Sequence, residues 1–165
     1  MKIAFYQPGI MRLLAKSNFL EYIGVRKIIL HTPMTNKSLG KQGEDIAEKY
    51  LKDRGYKILV RNFTKRPWGE IDIVAEKKAK PFSFLQTKLV FVEVKSIVKR
   101  NDFFPEDQIT DKKQNQLRKM AQIYLSTNKL PLSTAYQIDI LAIEFDGNSQ
   151  VIAIRHQPNA IEDNY

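Results

Sequence analysis

The stretch Leu89-Val90-Phe91-Val92-Glu93-Val94-Lys95-Ser96 constrains this chain more than any other. It is the most strongly apolar run in the sequence and reads as a strand, yet it carries two charges. Alternate residues of a strand share a face, so Val90, Val92 and Val94 point one way and Phe91, Glu93 and Lys95 the other. Glu93 and Lys95 therefore lie side by side, roughly 7 Å apart by strand rise. Taken alone this is an ordinary solvated Glu–Lys pair, common and weak. Its neighbours decide whether it is more.

Around that run the pattern is regular. Leu39, Gly43, Ile46, Ala47, Tyr50 and Leu51 recur at helical spacing, with Ser38 as N-cap and Gly55 as the stop. Residues 56–63 alternate as a strand, and Lys65-Arg66-Pro67-Trp68-Gly69 punctuates a turn. Residues 70–76 alternate again, with Ile71, Ile73 and Ala75 on one face and Glu70, Asp72, Val74 and Glu76 on the other. A basic loop, Lys77–Lys88, carries Phe82, Phe84 and Leu85. Thr110 caps a second helix whose buried stripe is Leu117, Met120, Ala121, Tyr124 and Leu125, and Pro131 ends that segment. Residues 135–145 and 150–156 are two further strands, joined across the hairpin turn Asp146-Gly147-Asn148-Ser149. The order helix, three strands, helix, two strands predicts an α/β fold, one mixed sheet flanked by helices.

Residues 1–36 differ in composition, with Glu21 as the one acid against Lys2, Arg12, Lys16, Arg26 and Lys27. They read as an N-terminal extension, helical or partly ordered, ahead of a domain over residues 37–165. The helix-start pattern begins only after Met34, which points to Met34 as the natural start. The apolar run at residues 19–30 is broken by charges and followed by no small-residue cleavage site, so a secretory signal is not expected.

The 165 residues suffice for one domain that needs no staple. There is no cysteine, which excludes a disulfide scaffold, a thiolate zinc site and a cysteine nucleophile. It also fits a reducing compartment, and a cytoplasmic location is expected. No run of apolar residues is long enough for a membrane span. Lys and Arg number 27 against 18 Asp and Glu, a formal charge of +9, which favours a polyanionic partner. His31 and His156 form no ligand spacing, and neither a G-x-S-x-G elbow nor a phosphate-binding Walker loop is present.

Chemistry enters through Gly69-Glu70-Ile71-Asp72. If this strand and the next pair as neighbours, Asp72 and Glu93 converge on one side of the sheet. Two facing carboxylates are costly unless a cation lies between them. Oxygen-only ligation suits Mg²⁺ or Mn²⁺. Lys95 beside such an ion would position a water and offset charge on a phosphate, a constellation for phosphodiester hydrolysis. Glu44, early in the first helix, is a third acid, but periodicity does not separate it from Asp45, and either serves as a first-turn acid.

Gly40-Lys41-Gln42-Gly43-Glu44, Ala47, Tyr50-Leu51 and Gly55-Tyr56 resemble the first-helix signature of the YraN family of bacterial endonuclease-like proteins. Gly69-Glu70-Ile71-Asp72 and Val90-Phe91-Val92-Glu93-Val94-Lys95 match its two strand motifs, and Ile109-Thr110, Lys113 and Leu117 resemble its second-helix signature. The resemblance runs from about Gly40 to Ile154. It implies a restriction-endonuclease-like fold with a PD-(D/E)XK-type site, akin to archaeal Holliday junction resolvases. By position it makes Asp72, Glu93 and the Val94 carbonyl metal ligands, Lys95 the motif lysine and Glu44 an auxiliary acid. Where the family carries a basic residue two places after that lysine, this chain has Ile97.

The expected activity is Mg²⁺- or Mn²⁺-dependent cleavage of DNA, branched or single-stranded forms included, with a non-catalytic nucleic-acid-binding module as the alternative. Lys112, Lys113, Arg118 and Lys119 cluster on the second helix, either as a solvated face or against phosphates. Lys65 and Arg66 would flank a nucleic-acid backbone while Trp68 stacks on a base; a tryptophan in such a turn more commonly covers a core edge. Cutting both strands of a duplex needs two sites, so a homodimer is expected.

Overall fold

The computed structural model describes residues 36–77, 88–99 and 109–162. The extension before Asn36 and the loop residues Phe82, Phe84 and Leu85 lie outside the described residues, as does most of the 97–109 connection.

Helix α1 (Asn36–Asp53) is followed by strands β1 (Tyr56–Lys65), β2 (Gly69–Lys77) and β3 (Lys88–Val98). Helix α2 (Asp111–Thr127) and strands β4 (Tyr136–Phe145) and β5 (Val151–Ile161) complete the order. The five strands form one sheet in sequence order, β1-β2-β3-β4-β5. All neighbours are antiparallel except β3 and β4, which run parallel. A parallel pair needs a crossover, and α2 lies in the connection between those two strands.

Each helix covers its own face. Leu39, Ala47 and Leu51 of α1 pack with Ile73, Ala75, Val90, Val92 and Val94. Leu117, Met120, Ala121, Tyr124 and Leu125 of α2 pack with Val74, Leu89, Phe91 and Ile138 on the other face. Both buried stripes follow from helical spacing, and burying each such large side chain contributes about 1.5–3 kcal/mol. The architecture is therefore α/β, a mixed sheet between two helices.

Several boundaries move. Helix α1 begins at Asn36, so Ser38 lies within it rather than capping it. Gly55 does stop the helix, at φ 81°, a left-handed conformation that glycine adopts without steric cost. Thr110 caps α2 as its sequence predicts, its hydroxyl accepting the Lys113 N–H. The helix stops four residues before Pro131, through Lys129 at φ 55° and a Leu130 N–H donated to the Leu125 carbonyl. In the hairpin turn the Asp146 carboxylate accepts the N–H groups of Asn148 and Gln150, each at 2.8 Å. Strand β5 runs on to Ile161, past the expected end, with a register shift opposite Asp139.

The simple alternation read along β2 fails at one point. Ile73 and Ala75 face α1, but Ile71 packs with the α2 cluster. The partner strand shows why. Arg61 opposite Ile73 reaches the acids of α1, whereas Phe63 opposite Ile71 stacks edge-on against Tyr124 of α2, centroids 5.0 Å apart. Between them Asn62 has φ 51°, so the strand pair rolls over at the level of Asp72.

Candidate active site

Antiparallel pairing of β2 with β3 runs from Lys77↔Lys88 to Ile73↔Val92. Continued one step, that register would set Asp72 against Glu93, but the pairing ends at Ile73. There the ladder gives way to a side chain: the Val94 N–H donates to Asp72 Oδ2 at 2.7 Å. Strand β3 stays paired with β4 through Val98, so the sheet opens as a fork between β2 and β3. A strand residue turns its N–H and C=O toward the same neighbour, so the Val94 carbonyl faces this gap as well.

Glu93 is 2% exposed. Its Oε1 receives two ammonium groups, Lys95 Nζ at 2.7 Å and Lys113 Nζ at 2.9 Å. Its Oε2 is buried without a hydrogen-bond partner. A buried carboxylate oxygen left unpaired is expensive, and native proteins rarely keep one without a ligand to satisfy it. Burial, and then the Glu93 charge, push the Asp72 carboxyl up to about 7, against the pull of the Val94 N–H and Lys113. Asp72, Glu93, Lys95 and Lys113 thus form one cluster, drawn from β2, β3 and α2.

Glu44 is placed differently. Its Oε2 accepts Asn62 Nδ2 at 2.9 Å and lies 3.4 Å from the Arg61 guanidinium, which also holds Asp45 and Glu48. Glu44 still adds to the upward pressure on Asp72, so its charge reaches the fork. It is the more inward of the two acids that sequence left open, with a side chain 24% exposed against 55% for Asp45. Among the described residues no three acidic or histidine side chains converge as a metal-binding group. The oxygen donors brought together are the Asp72–Glu93 pair and the Val94 carbonyl.

The basic residues of α2 separate by role. Lys113 enters the Glu93 cluster, Arg118 donates to the Glu162 carbonyl and to Asn115, and Lys112 is exposed. Lys119 places Nζ 3.2 Å from the centroid of the Trp68 ring. That indole is 47% exposed and does not close a core edge. Lys65 and Arg66 are exposed beside it.

From sequence Asp139 reads as no more than a cap for a backbone group, and the structure gives it that role and further partners. Asp139, 0% exposed, accepts Gln137 Nε2 and the Asn159 N–H and pairs with His156 Nε2 at 2.8 Å. His156 is thus partnered rather than isolated, and its ring meets Tyr50 and Tyr56. The set satisfies the irregular pairing of β5 with β4. A charged residue inside the apolar run Ile138–Ile143 was the available signal; its partner, seventeen positions away, was not.

Residues 43–143 match a family described as Uncharacterised protein family UPF0102. A UPF0102 protein of Dictyoglomus turgidum is 37% identical over 77% of this chain and 99% of its own length. Others from Geobacter metallireducens and Roseiflexus castenholzii are 40% and 35% identical, over 77% and 76% of this chain and 94% of each relative. Among solved structures, SfsA of Pyrococcus furiosus in complex with Ca²⁺ is similar over 74% of this chain and 62% of that one, at 19% identity and a TM-score of 0.34. The chain belongs to the UPF0102 family, the YraN family whose motifs lie on its first helix and central strands.

Proposed function

We propose that this protein is a metal-dependent nuclease that hydrolyses phosphodiester bonds in DNA. The observation that carries the reading is the orphaned Glu93 Oε2, buried at the fork across from Asp72. The donor set fits a hard divalent cation: two carboxylates and a backbone carbonyl, all oxygen, with no thiolate. Asp72, Glu93 and the Val94 carbonyl would hold Mg²⁺ or Mn²⁺. Such an ion, when bound, supplies Lewis acidity toward a phosphoryl oxygen and lowers the pKa of water.

The chain's own groups supply the rest. Lys95, on the same strand face as Glu93, positions the attacking water and donates to the phosphate. Lys113 shares Glu93 Oε1 with Lys95 and is only partly buried, so it can turn to the phosphate once Glu93 has another partner. Asn62 and Arg61 fix the Glu44 carboxylate at the rim of the fork, from which it can hold the water shell of an ion. Paired cutting of a duplex calls for two such sites, which a homodimer would provide.

The test is Mg²⁺ and Mn²⁺ titration against labelled linear, nicked and four-way DNA. Asp72→Ala and Glu93→Ala should lower cleavage at least a hundredfold, the order of effect for removing one preorganised charge-stabilising group, and leave DNA binding intact. Cleavage by Asp72→Ala at the parental rate would overturn the assignment. Salt-dependent binding without cleavage under any ion would leave a non-catalytic nucleic-acid module.

A further inference from the structure

The turn between β1 and β2 and the first two turns of α2 enclose an open groove of about 420 Å³, lined in part by Thr64, Arg66, Pro67, Glu70, Lys113 and Gln116. Lys113 belongs both to this groove and to the Glu93 cluster, so the two adjoin through its side chain. We propose that the groove, together with the Trp68 ring on the turn that borders it, is the subsite for a nucleic-acid strand with unpaired bases, Trp68 being the platform on which one base stacks. The inference rests on the nuclease reading for what lies at the groove's inner end.

Three observations point to this ligand. First, the turn that carries the indole is fixed. The Trp68 backbone carbonyl accepts Gln116 Nε2 at 3.1 Å, its backbone N–H donates to the Lys65 carbonyl at 2.7 Å, and Lys119 lies over the ring. Gly69 permits this latch, because a Cβ there would collide with the Gln116 side chain, and its φ of 131° disfavours any other residue.

Second, Trp68 keeps 47% of its surface in solvent although one face carries the Lys119 ammonium. A preorganised, exposed indole beside cations is the pairing that binds single strands: the ring takes the base and the cations take the backbone.

Third, the charged lining is mostly basic. Arg66 and Lys113 line the groove against the single acid Glu70, and Lys119 lies over the Trp68 ring on the adjoining turn, so the groove attracts phosphate. Inside a duplex both faces of a base are covered by its neighbours. Stacking on Trp68 therefore selects unpaired bases, whether in a single strand, a flap or a branch.

Trp68 is the only tryptophan in the chain, so the emission of the full-length protein reports on this ring alone. In EDTA the protein is titrated with a dT oligonucleotide, an rU oligonucleotide, a blunt duplex of equal length and inorganic polyphosphate. Saturating single strands, DNA or RNA, should quench the emission, while duplex and polyphosphate should leave it unchanged. Measured by anisotropy, Trp68→Ala should bind the single strands roughly tenfold to a hundredfold more weakly, with Trp68→Phe close to the parent. Absence of quenching by every single strand at saturation overturns the subsite, as does parental single-strand affinity in Trp68→Ala. Cleavage of the same oligonucleotides with Mn²⁺ separates the two claims. Cleavage without quenching removes the subsite and keeps the nuclease; quenching without cleavage under any ion does the reverse.

Discussion

At the scale of single residues the protein concentrates its cost in Asp72 and Glu93, and that cost has a pH signature. In the unfolded chain Asp72 titrates near its ordinary 3.8; in the fold, burial and the facing Glu93 raise it to about 7. A raised carboxyl favours folding below the unfolded value, and its contribution is lost as pH rises through the folded value. Without divalent ions, then, Asp72 should drain stability between about pH 4 and pH 7 and no further above that. Asp72→Asn keeps an acceptor for the Val94 N–H but has no charge to bury. Urea unfolding in EDTA should show the variant gaining on the parent across that window. A difference that stays constant from pH 4 to 8 would mean that Asp72 is not held protonated by the fold.

At the scale of elements, most of the architecture was readable from periodicity. The stripe Leu117, Met120, Ala121, Tyr124 and Leu125 is buried as spacing predicts, and Val90, Val92 and Val94 face α1 as alternation predicts. The meeting of Asp72 with Glu93 was readable too, through neighbouring strands in register. What stayed hidden depends on backbone detail or on distant partners. The roll at Asn62 turns on one left-handed residue, and it sends Ile71 to the face opposite the one alternation assigns. Lys119 over Trp68 and Asp139 on His156 join positions that no local pattern links.

Gly43 is a readable case with a sharp consequence. It sits on the apolar stripe of α1 where the helix crosses β3, and a Cβ there would run into the Ser96 side chain. Gly43→Ala should cost roughly 1–3 kcal/mol by overpacking, even though alanine is the better helix former. Ser96→Gly in the same chain should return part of that loss, since it removes the colliding atoms. Ser96→Ala alone should be neutral or stabilising, because the Ser96 hydroxyl is buried without a partner. Chemical denaturation of the parent, Gly43→Ala, Ser96→Gly and the double variant Gly43→Ala with Ser96→Gly forms a closed mutant cycle, and strict additivity would show that α1 and β3 do not touch at this point.

At the scale of the whole molecule, the fork ties the candidate site to stability. Strand β3 gives up β2 beyond Val92 and keeps β4, leaving the centre of the sheet to be closed by a carboxylate on a backbone N–H and by two lysines on one glutamate oxygen. Each is a substitute for a better-matched partner. A divalent ion at the fork would satisfy Glu93 Oε2 and relieve the repulsion on Asp72, and it would bind the folded state alone, because the unfolded chain does not hold the donors together. Linkage then requires that the ion stabilise the fold, by about 2.7 kcal/mol at a hundred times its Kd. Thermal unfolding with increasing Mn²⁺ should therefore show a rising midpoint in the parent and a flat one in Asp72→Asn and Glu93→Gln. Lys113→Met should bind the ion more tightly, since it removes one competitor for Glu93, whereas Lys112→Met, on the same helix but exposed, should match the parent. If Lys112→Met and Lys113→Met shift the Mn²⁺ response equally, the effect is the general charge of a basic surface, and the fork has no site of its own.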